Sequence, residues 1–433
     1  MLFSDINILD ENLEYHQHCW VGIMGNRIHF IHEGRPEQHV IDEYEEIYNG
    51  SGKLLMSGFY NAHAHAPMVL LRGYAESLPL QRWLNEKVFP FEAKITAEDM
   101  YWATLLACAE QARFGIVSFS DMYMETEARI RAATQAGMKM NVCDNFVAFE
   151  DKPYQEFPNY EVNEKLVSRF HGSDEGRILV DYCIHAEYST QPEPVSIIAQ
   201  IVKEKNLRVH LHLSETKAEH EECKQRHHNM TPTQYFNSLG IFDNPTTAAH
   251  CVWVEDADLE ILKEKGVFVA CNPVSNMKLG SGFAPISAML EKGIAVALGT
   301  DGMASNNNHD MMQDMYLMAL IYKGYNLDPA VVTPQQCLHA ATRIGALSQG
   351  RDDCGVLKEG AKADLVVVDM SEPSWTPNIH PLNNVVYAGH GSDICLTMVD
   401  GRVVYRDGIW PTIDVERAKA EVTASTKRII ASL

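Results

Sequence analysis

Leu54-Leu55-Met56-Ser57-Gly58-Phe59-Tyr60-Asn61-Ala62-His63-Ala64-His65 is an apolar run that closes on two histidines one residue apart. On a strand, residues i and i+2 share a face, so His63 and His65 are expected to grip one ion together. Further down the chain, other apolar runs end on residues of the same chemical kind. His212 closes one of them, three residues before Glu215; His250 closes Thr246-Thr247-Ala248-Ala249-His250; and Asp301 closes Ala295-Val296-Ala297-Leu298-Gly299-Thr300-Asp301. Three imidazoles and a carboxylate suit a divalent ion of the zinc type that keeps a position for water. The expectation is a metal-activated hydrolase.

From Ile47 to Asp301 short apolar runs alternate with longer amphipathic ones, the rhythm of repeated βα units. Candidate strands cover 54–60, 116–121, 138–144, 178–184, 208–213, 246–251, 267–272 and 295–301. Eight strands with helical spacers predict a closed parallel barrel, in which strand C-terminal ends converge on one mouth. His63, His65, His212, His250 and Asp301 all fall at such ends. In one spacer Thr96 is placed to cap a helix with Asp99, and Trp102, Leu105, Leu106 and Ala109 recur at helical spacing before Gly115. Neither GxGxxG nor GxxxxGK[ST] occurs, which excludes the usual phosphate-cradling loops.

Both ends read as strand-rich, with turn signals at Gly25-Asn26 and Asp400-Gly401, and are expected to combine into one small β domain. The tail from Val415 has helical spacing. The expected division is 1–53 and 357–433 for the terminal domain, with its closing helix, and 54–356 for the metal-dependent barrel.

A formal charge of −22 argues against nucleic acid or an anionic membrane as the main partner, since both select Lys and Arg. Ten Cys occur without a CxxC pair, in a chain too long to need disulfides, and most are expected to be reduced core residues. The acidic start, Met1 to Asp10, lacks the features of a signal peptide, and no apolar run has the length of a bilayer span, so a cytoplasmic protein is expected.

Of 19 His, nine are assigned ordinary surface or core roles: His16, His18, His29, His32, His39, His227, His228, His380 and His390. His210 shares a face with His212 and could reach the ion; it is placed one layer deeper, as a packing residue or a support behind the ligands. Glu215 could be a helix N-terminal carboxylate favoured by the dipole. Lying three residues from a ligand, it is read instead as a proton shuttle.

With these residues in place, the chain resembles the amidohydrolase superfamily, and within it the S-adenosylhomocysteine/methylthioadenosine deaminases and their chlorohydrolase relatives. The resemblance rests on His63-Ala64-His65-Ala66-Pro67-Met68, Leu70-Leu71-Arg72-Gly73-Tyr74-Ala75-Glu76 with Trp83-Leu84, the His212/Glu215 pair and Ala249-His250-Cys251. It extends through Asn272-Pro273, Asn276-Met277-Lys278-Leu279-Gly280, Gly299-Thr300-Asp301-Gly302 and Ala304-Ser305-Asn306-Asn307. It implies a distorted (β/α)8 TIM barrel with a composite β-sandwich from both termini, and a homo-oligomer. It also implies one divalent ion, zinc with iron or manganese as alternatives, held by His63, His65, His212 and Asp301. His250 would then lie near the reacting water and the substrate, while Glu215 and Asp301 move protons. Glu92 matches a carboxylate that holds ribose hydroxyls, and His185 and Trp83 match substrate-contacting positions.

Two absences sharpen the resemblance. No Lys lies between Arg177 and Lys203, so the fourth strand supplies no carbamylated Lys to bridge two metals. Where the adenosylhomocysteine branch carries Arg after the third strand, this chain has Asp144-Asn145-Phe146, then Glu150, Asp151 and Lys152. Asp144 thus stands as a substrate-side residue that disfavours an anionic tail. The expected reaction is hydrolytic deamination of a small heterocycle, most directly the adenine ring of a neutral nucleoside (5′-methylthioadenosine, 5′-deoxyadenosine or adenosine), with S-adenosylhomocysteine less favoured. The alternatives are a triazine-type chlorohydrolase, a deaminase of guanine, cytosine or a pterin, and a non-enzymatic metal-binding scaffold.

Overall fold

A computed structural model describes residues 1–433. Parallel strands and intervening helices carry the middle of the chain, and both ends combine in a separate sheet, giving a mixed α/β architecture. Two five-stranded parallel sheets form the middle. One runs Asp301–Gly302, Phe59–His65, Ile116–Tyr123, Lys139–Asp144, Ile178–Val180; the other runs Tyr182–Ile184, Val209–Leu213, Thr246–His250, Phe268–Cys271, Val296–Leu298. The hydrogen-bonded ladder is broken at two points inside single apolar runs. Between Asp181 and Tyr182 the chain changes partner, the Asp181 amide donating to Val142 O at 3.0 Å on the first sheet and the Tyr182 amide to Arg208 O at 2.9 Å on the second, and Gly299-Thr300 separates Val296–Leu298 from Asp301–Gly302.

The expected strand 54–60 is corrected. Lys53–Ser57 pairs with Leu2–Leu9 and Leu365–Asp369, and the chain crosses to the site-bearing sheet at Gly58. The crossing follows from side-chain alternation. Leu54 and Met56, like Val366 and Val368, face the main core, whereas Leu55, Leu365 and Val367 face a second core with Phe3, Ile8 and Val21. One strand thereby buries both its faces.

The terminal sheet has eight strands, drawn from residues 2–57 and 365–406. Tyr15–Met24 and Arg27–Glu33 form a hairpin with the expected Gly25-Asn26 turn; Ile394–Val399 and Arg402–Arg406 form one at Asp400-Gly401. Asp400 and Gly401 take φ of 47° and 75°, the pattern of a tight hairpin turn. A Cβ on Gly401 would stand 2.1 Å from Gly25 O, so glycine lets the two turns touch.

Helix Ala97–Arg113 begins with the expected capping box: Thr96 Oγ1 accepts from Asp99 N at 3.3 Å, and Asp99 Oδ2 accepts from Thr96 N at 2.8 Å. Helix Val415–Ile430 closes the chain. All ten Cys are free and nine are buried. No helix is long and apolar enough to cross a membrane.

Beneath the site, Asp121 and Arg129 form a wholly buried ion pair at 2.7 Å. Arg129 also donates to the carbonyls of Tyr123, Met124 and Cys143, and Asp121 Oδ1 accepts from Ala66 N at 2.6 Å. Two strand ends and the segment after His65 are thus fastened to one another. Removing one partner strands the other charge, at about 3–5 kcal/mol. Arg129→Met is expected to lose stability of that order, read from denaturant unfolding; a loss below about 1 kcal/mol would contradict the fastening role.

Candidate active site

Local geometry brings the distant ligand-type residues to one end of the parallel strands. Asp301 pairs with Ala64 and Gly302 with His65, which sets the carboxylate beside the two histidines. Gly302 permits this approach, since a Cβ there would meet Met68 Sδ at 2.5 Å and His65 Cβ at 3.3 Å. Asn61 fastens the junction, donating to Thr300 Oγ1 at 2.8 Å and accepting from Thr300 N at 3.0 Å. His212 aligns with Ala249, and Leu213 with His250, on the facing sheet. His250 and Asp301 hold φ of 73° and 59°, conformations that cost a non-glycine residue about 1–3 kcal/mol each and collect at functional sites.

The imidazole orientations are set from behind. His65 Nδ1 donates to Met122 O at 2.5 Å and His212 Nδ1 donates to His185 O at 2.8 Å, because a carbonyl only accepts. Each ring therefore turns Nε2 toward the other, 3.3 Å apart. Two lone pairs at that distance repel unless a cation lies near. His63 Nε2 is buried without a hydrogen-bond partner and stands 3.4 Å from Asp301 Oδ1, while His65 Nε2 stands 3.2 Å from the same oxygen. Burial pushes His63 down to about 4 and His212 well below the ordinary imidazole value, so both offer neutral lone pairs. Burial opposes charge on His65 as well, but Asp301 overrides it and lifts that group to about 9; this edge of the cluster attracts a proton or a metal ion. His63, His65 and His212 converge as one group, Asp301 Oδ1 reaches two of its members, and the four fit a zinc-type ion in donor type. His250 shares a second grouping with His63 and Asp301.

His210 Nε2 lies 2.8 Å from His63 Nδ1, on the side of the ring opposite the cluster. It supports His63 from behind and is not among the groups that converge on the ion.

Glu215 lies at the edge of the cluster with Oε2 3.9 Å from His250 Nε2, and Ser281 Oγ donates to its Oε1 at 3.1 Å. Burial raises its pKa, with the His250 charge acting in the opposite sense. A carboxyl so placed holds a proton more readily than one in water, as a shuttle requires. His250 Nδ1 bonds to Asn276 Oδ1 at 2.8 Å, which leaves Nε2 facing Glu215. Asp301 Oδ2 accepts from Ser275 at 2.5 Å and Ser305 at 3.0 Å, so its Oδ1 is the oxygen turned to the histidines.

The pocket above the cluster is lined by His65, His212, Glu215, His250 and Asp301, and by Trp83, Glu92 and His185. Glu92 accepts from Tyr123 Oη at 2.5 Å, and burial raises its pKa. His185 Nδ1 meets Ser189 Oγ at 2.8 Å, and burial pushes the ring down to about 4. Asp144 is not on this wall: its carboxylate accepts from Thr126 Oγ1 at 3.1 Å and Asn159 Nδ2 at 2.6 Å, and the next residue, Asn145, lines the pocket instead. Alternation across the end of Lys139–Asp144 accounts for the exchange. Sequence reading did not single out Ser281, Tyr123 or Glu219. Glu219 accepts both the Ser214 and Glu215 amides, and burial, with the Glu215 charge, pushes it up to about 8.

Against known proteins, residues 54–404 match the model of the amidohydrolase family. The chain belongs to that family. It is 39% identical over 380 residues to a 5-methylthioadenosine/S-adenosylhomocysteine deaminase of Dictyoglomus thermophilum, covering 88% of each chain. To the deaminase of the same name from Acetivibrio thermocellus it is 37% identical over 431 residues, 99% of this chain and 98% of that one. Among solved structures, a zinc-bound adenosine deaminase from Xanthomonas campestris superposes with a TM-score of 0.91 at 26% identity, covering 99% of this chain and 98% of the other.

Proposed function

We propose that this amidohydrolase is a hydrolytic deaminase that converts the amino-bearing ring carbon of an adenine nucleoside to a carbonyl and releases ammonia. The observation that carries the proposal is Glu215, a buried carboxyl of raised pKa, set beside a cluster of three imidazoles and a carboxylate at the foot of one pocket. The names of the relatives point the same way. In this reading the two parallel sheets are arcs of one distorted (β/α)8 barrel, and the terminal sheet is the composite β-sandwich.

His63, His65, His212 and Asp301 would hold one ion. Bound there, a zinc-type ion would supply Lewis acidity that lowers the pKa of water toward about 7. The chain's own groups do the rest. Asp301 accepts a proton from the attacking water. Glu215 protonates the ring nitrogen beside the amine-bearing carbon, which draws electron density from that carbon. His250, anchored at Nδ1 by Asn276, turns Nε2 toward the attacking oxygen and orients it. Glu215, recharged from Asp301, delivers the second proton to the departing amine, and as the carbonyl forms the hydroxyl proton of the adduct passes to Asp301 and on to Glu215, which restores both carboxyls. Glu92 and His185 hold the ribose and ring edges.

Substrate charge tests the reading. The pocket wall includes no Lys or Arg; Leu80, Trp83, Leu84, Val88, Phe89 and Leu279 form its apolar side. Lys152 is engaged with Glu150 at 2.8 Å. A carboxylate-bearing tail would find no cation, and a hydrogen bond to a charged group is worth about 1.5–3 kcal/mol. 5′-Methylthioadenosine, 5′-deoxyadenosine and adenosine are therefore expected to exceed S-adenosylhomocysteine in kcat/KM by about tenfold or more. Preference for S-adenosylhomocysteine would reverse the specificity assignment. Ammonia from guanine, cytosine or a pterin but from no nucleoside would replace the substrate class.

A further inference from the structure

Glu215 is held by two side chains that the reaction above does not use. Strand Val209–Leu213 ends, and Ser214 turns the chain with φ of 48°, a left-handed conformation that neighbours must hold in place. The neighbour is Glu219, in the first turn of helix Lys217–Arg226. Its Oε1 accepts from Ser214 N at 2.9 Å and its Oε2 from Glu215 N at 2.8 Å. Its own amide donates to Thr216 Oγ1 at 3.2 Å, so the clamp is itself fixed by the helix cap. Glu219 is 4% exposed and absent from the pocket wall. From the other side, Ser281, also 4% exposed, donates to Glu215 Oε1 at 3.1 Å. Oε2 is left without a hydroxyl partner, facing His250 Nε2 at 3.9 Å.

We infer that Glu219 and Ser281 are positioning residues for the proton shuttle: Glu219 fixes the backbone of Glu215, Ser281 pins Oε1, and Oε2 is the oxygen that carries the proton. The inference rests on the deaminase reading and adds which groups hold its shuttle in reach. Gln cannot replace Glu219 fully, since its amide nitrogen would confront one of the two backbone N–H groups donor to donor. Ala leaves both amides without an acceptor.

The test uses the full-length, zinc-loaded protein and its Glu219→Ala, Glu219→Gln and Ser281→Ala variants. Ammonia release from 5′-methylthioadenosine gives kcat and KM, metal analysis gives zinc content, and crystal structures of wild type and Glu219→Gln give the Glu215 position. Glu219→Ala is expected to lose about 10²-fold in kcat, the scale of a misplacement of about 1 Å. KM and zinc content should stay at the wild-type level. Glu219→Gln, keeping one acceptor, should fall between wild type and Ala, and Ser281→Ala should lose about tenfold for one hydrogen bond to a charged group. In the Glu219→Gln crystal, Oε2 should move away from its 3.9 Å approach to His250.

Folded, zinc-loaded variants with wild-type kcat would overturn the inference. A fall in kcat accompanied by zinc loss and a raised KM would make Glu219 a structural residue only. Should Glu219→Ala fail to fold, Glu219→Gln and Ser281→Ala decide the matter by the same readings. If wild type releases no ammonia from any nucleoside, the deaminase reading fails, and an unmoved Glu215 in the Glu219→Gln crystal is then the result that overturns this inference.

Discussion

Glu215→Gln should lower kcat for ammonia release by about 10²–10⁴-fold with metal content unchanged, the usual contribution of a general acid–base group. The substitution keeps the shape of the side chain and an acceptor for Ser281, but it removes the exchangeable carboxyl proton. Two transfers depend on that proton in the proposed cycle, to the ring nitrogen and to the departing amine, so no neighbour can take over one without the other. Burial raises the pKa of Glu215 and makes the protonated form accessible. Because Glu215 stands outside the group formed by His63, His65 and His212, the ion should be retained. Near-wild-type turnover, measured with chemistry rate-limiting, would take Glu215 out of the reaction. Loss of the metal would instead give it a structural role.

The residues of the cluster were legible in the sequence because each closes an apolar run. Strand alternation fixes where such a residue points, and parallel strands deliver their ends to one side of the sheet. His63 with His65, and His210 with His212, followed from that rule alone. The rule failed where a run crosses between sheets. Leu54 to Tyr60 is apolar on either side of Ser57-Gly58 because Lys53–Ser57 is buried on both faces, and a short Ser-Gly interruption does not by itself mark a change of sheet. Asp144 was misplaced for a related reason, since a shift of one residue at the end of a strand exchanges the pocket wall for the outside. Glu219 escaped notice because an acid in the first turn of a helix already has an adequate explanation in the dipole. Its second role arises only in the fold, where its two oxygens reach back to the amides of Ser214 and Glu215.

Stripping the metal should abolish turnover and lower thermal stability together, and both should return on adding back one ion per chain. Neutral His63 and His212 and the Asp301 carboxylate converge on a region where His63 Nε2 has no partner within the protein. An ion that binds the folded chain and not the unfolded one stabilises it by RT ln(1 + [L]/Kd), about 4 kcal/mol at a thousandfold excess over Kd. Apo protein should therefore unfold at a measurably lower temperature than the zinc form, and zinc, iron and manganese can be ranked by the recovery each produces. The expected stoichiometry is one. The strand end that would supply a bridging Lys carries His185 here, with its Nδ1 engaged by Ser189, and the pocket wall includes no Lys. Undiminished turnover by metal-free protein would defeat the proposed chemistry, whereas two ions per chain would preserve it and overturn the single-ion assignment.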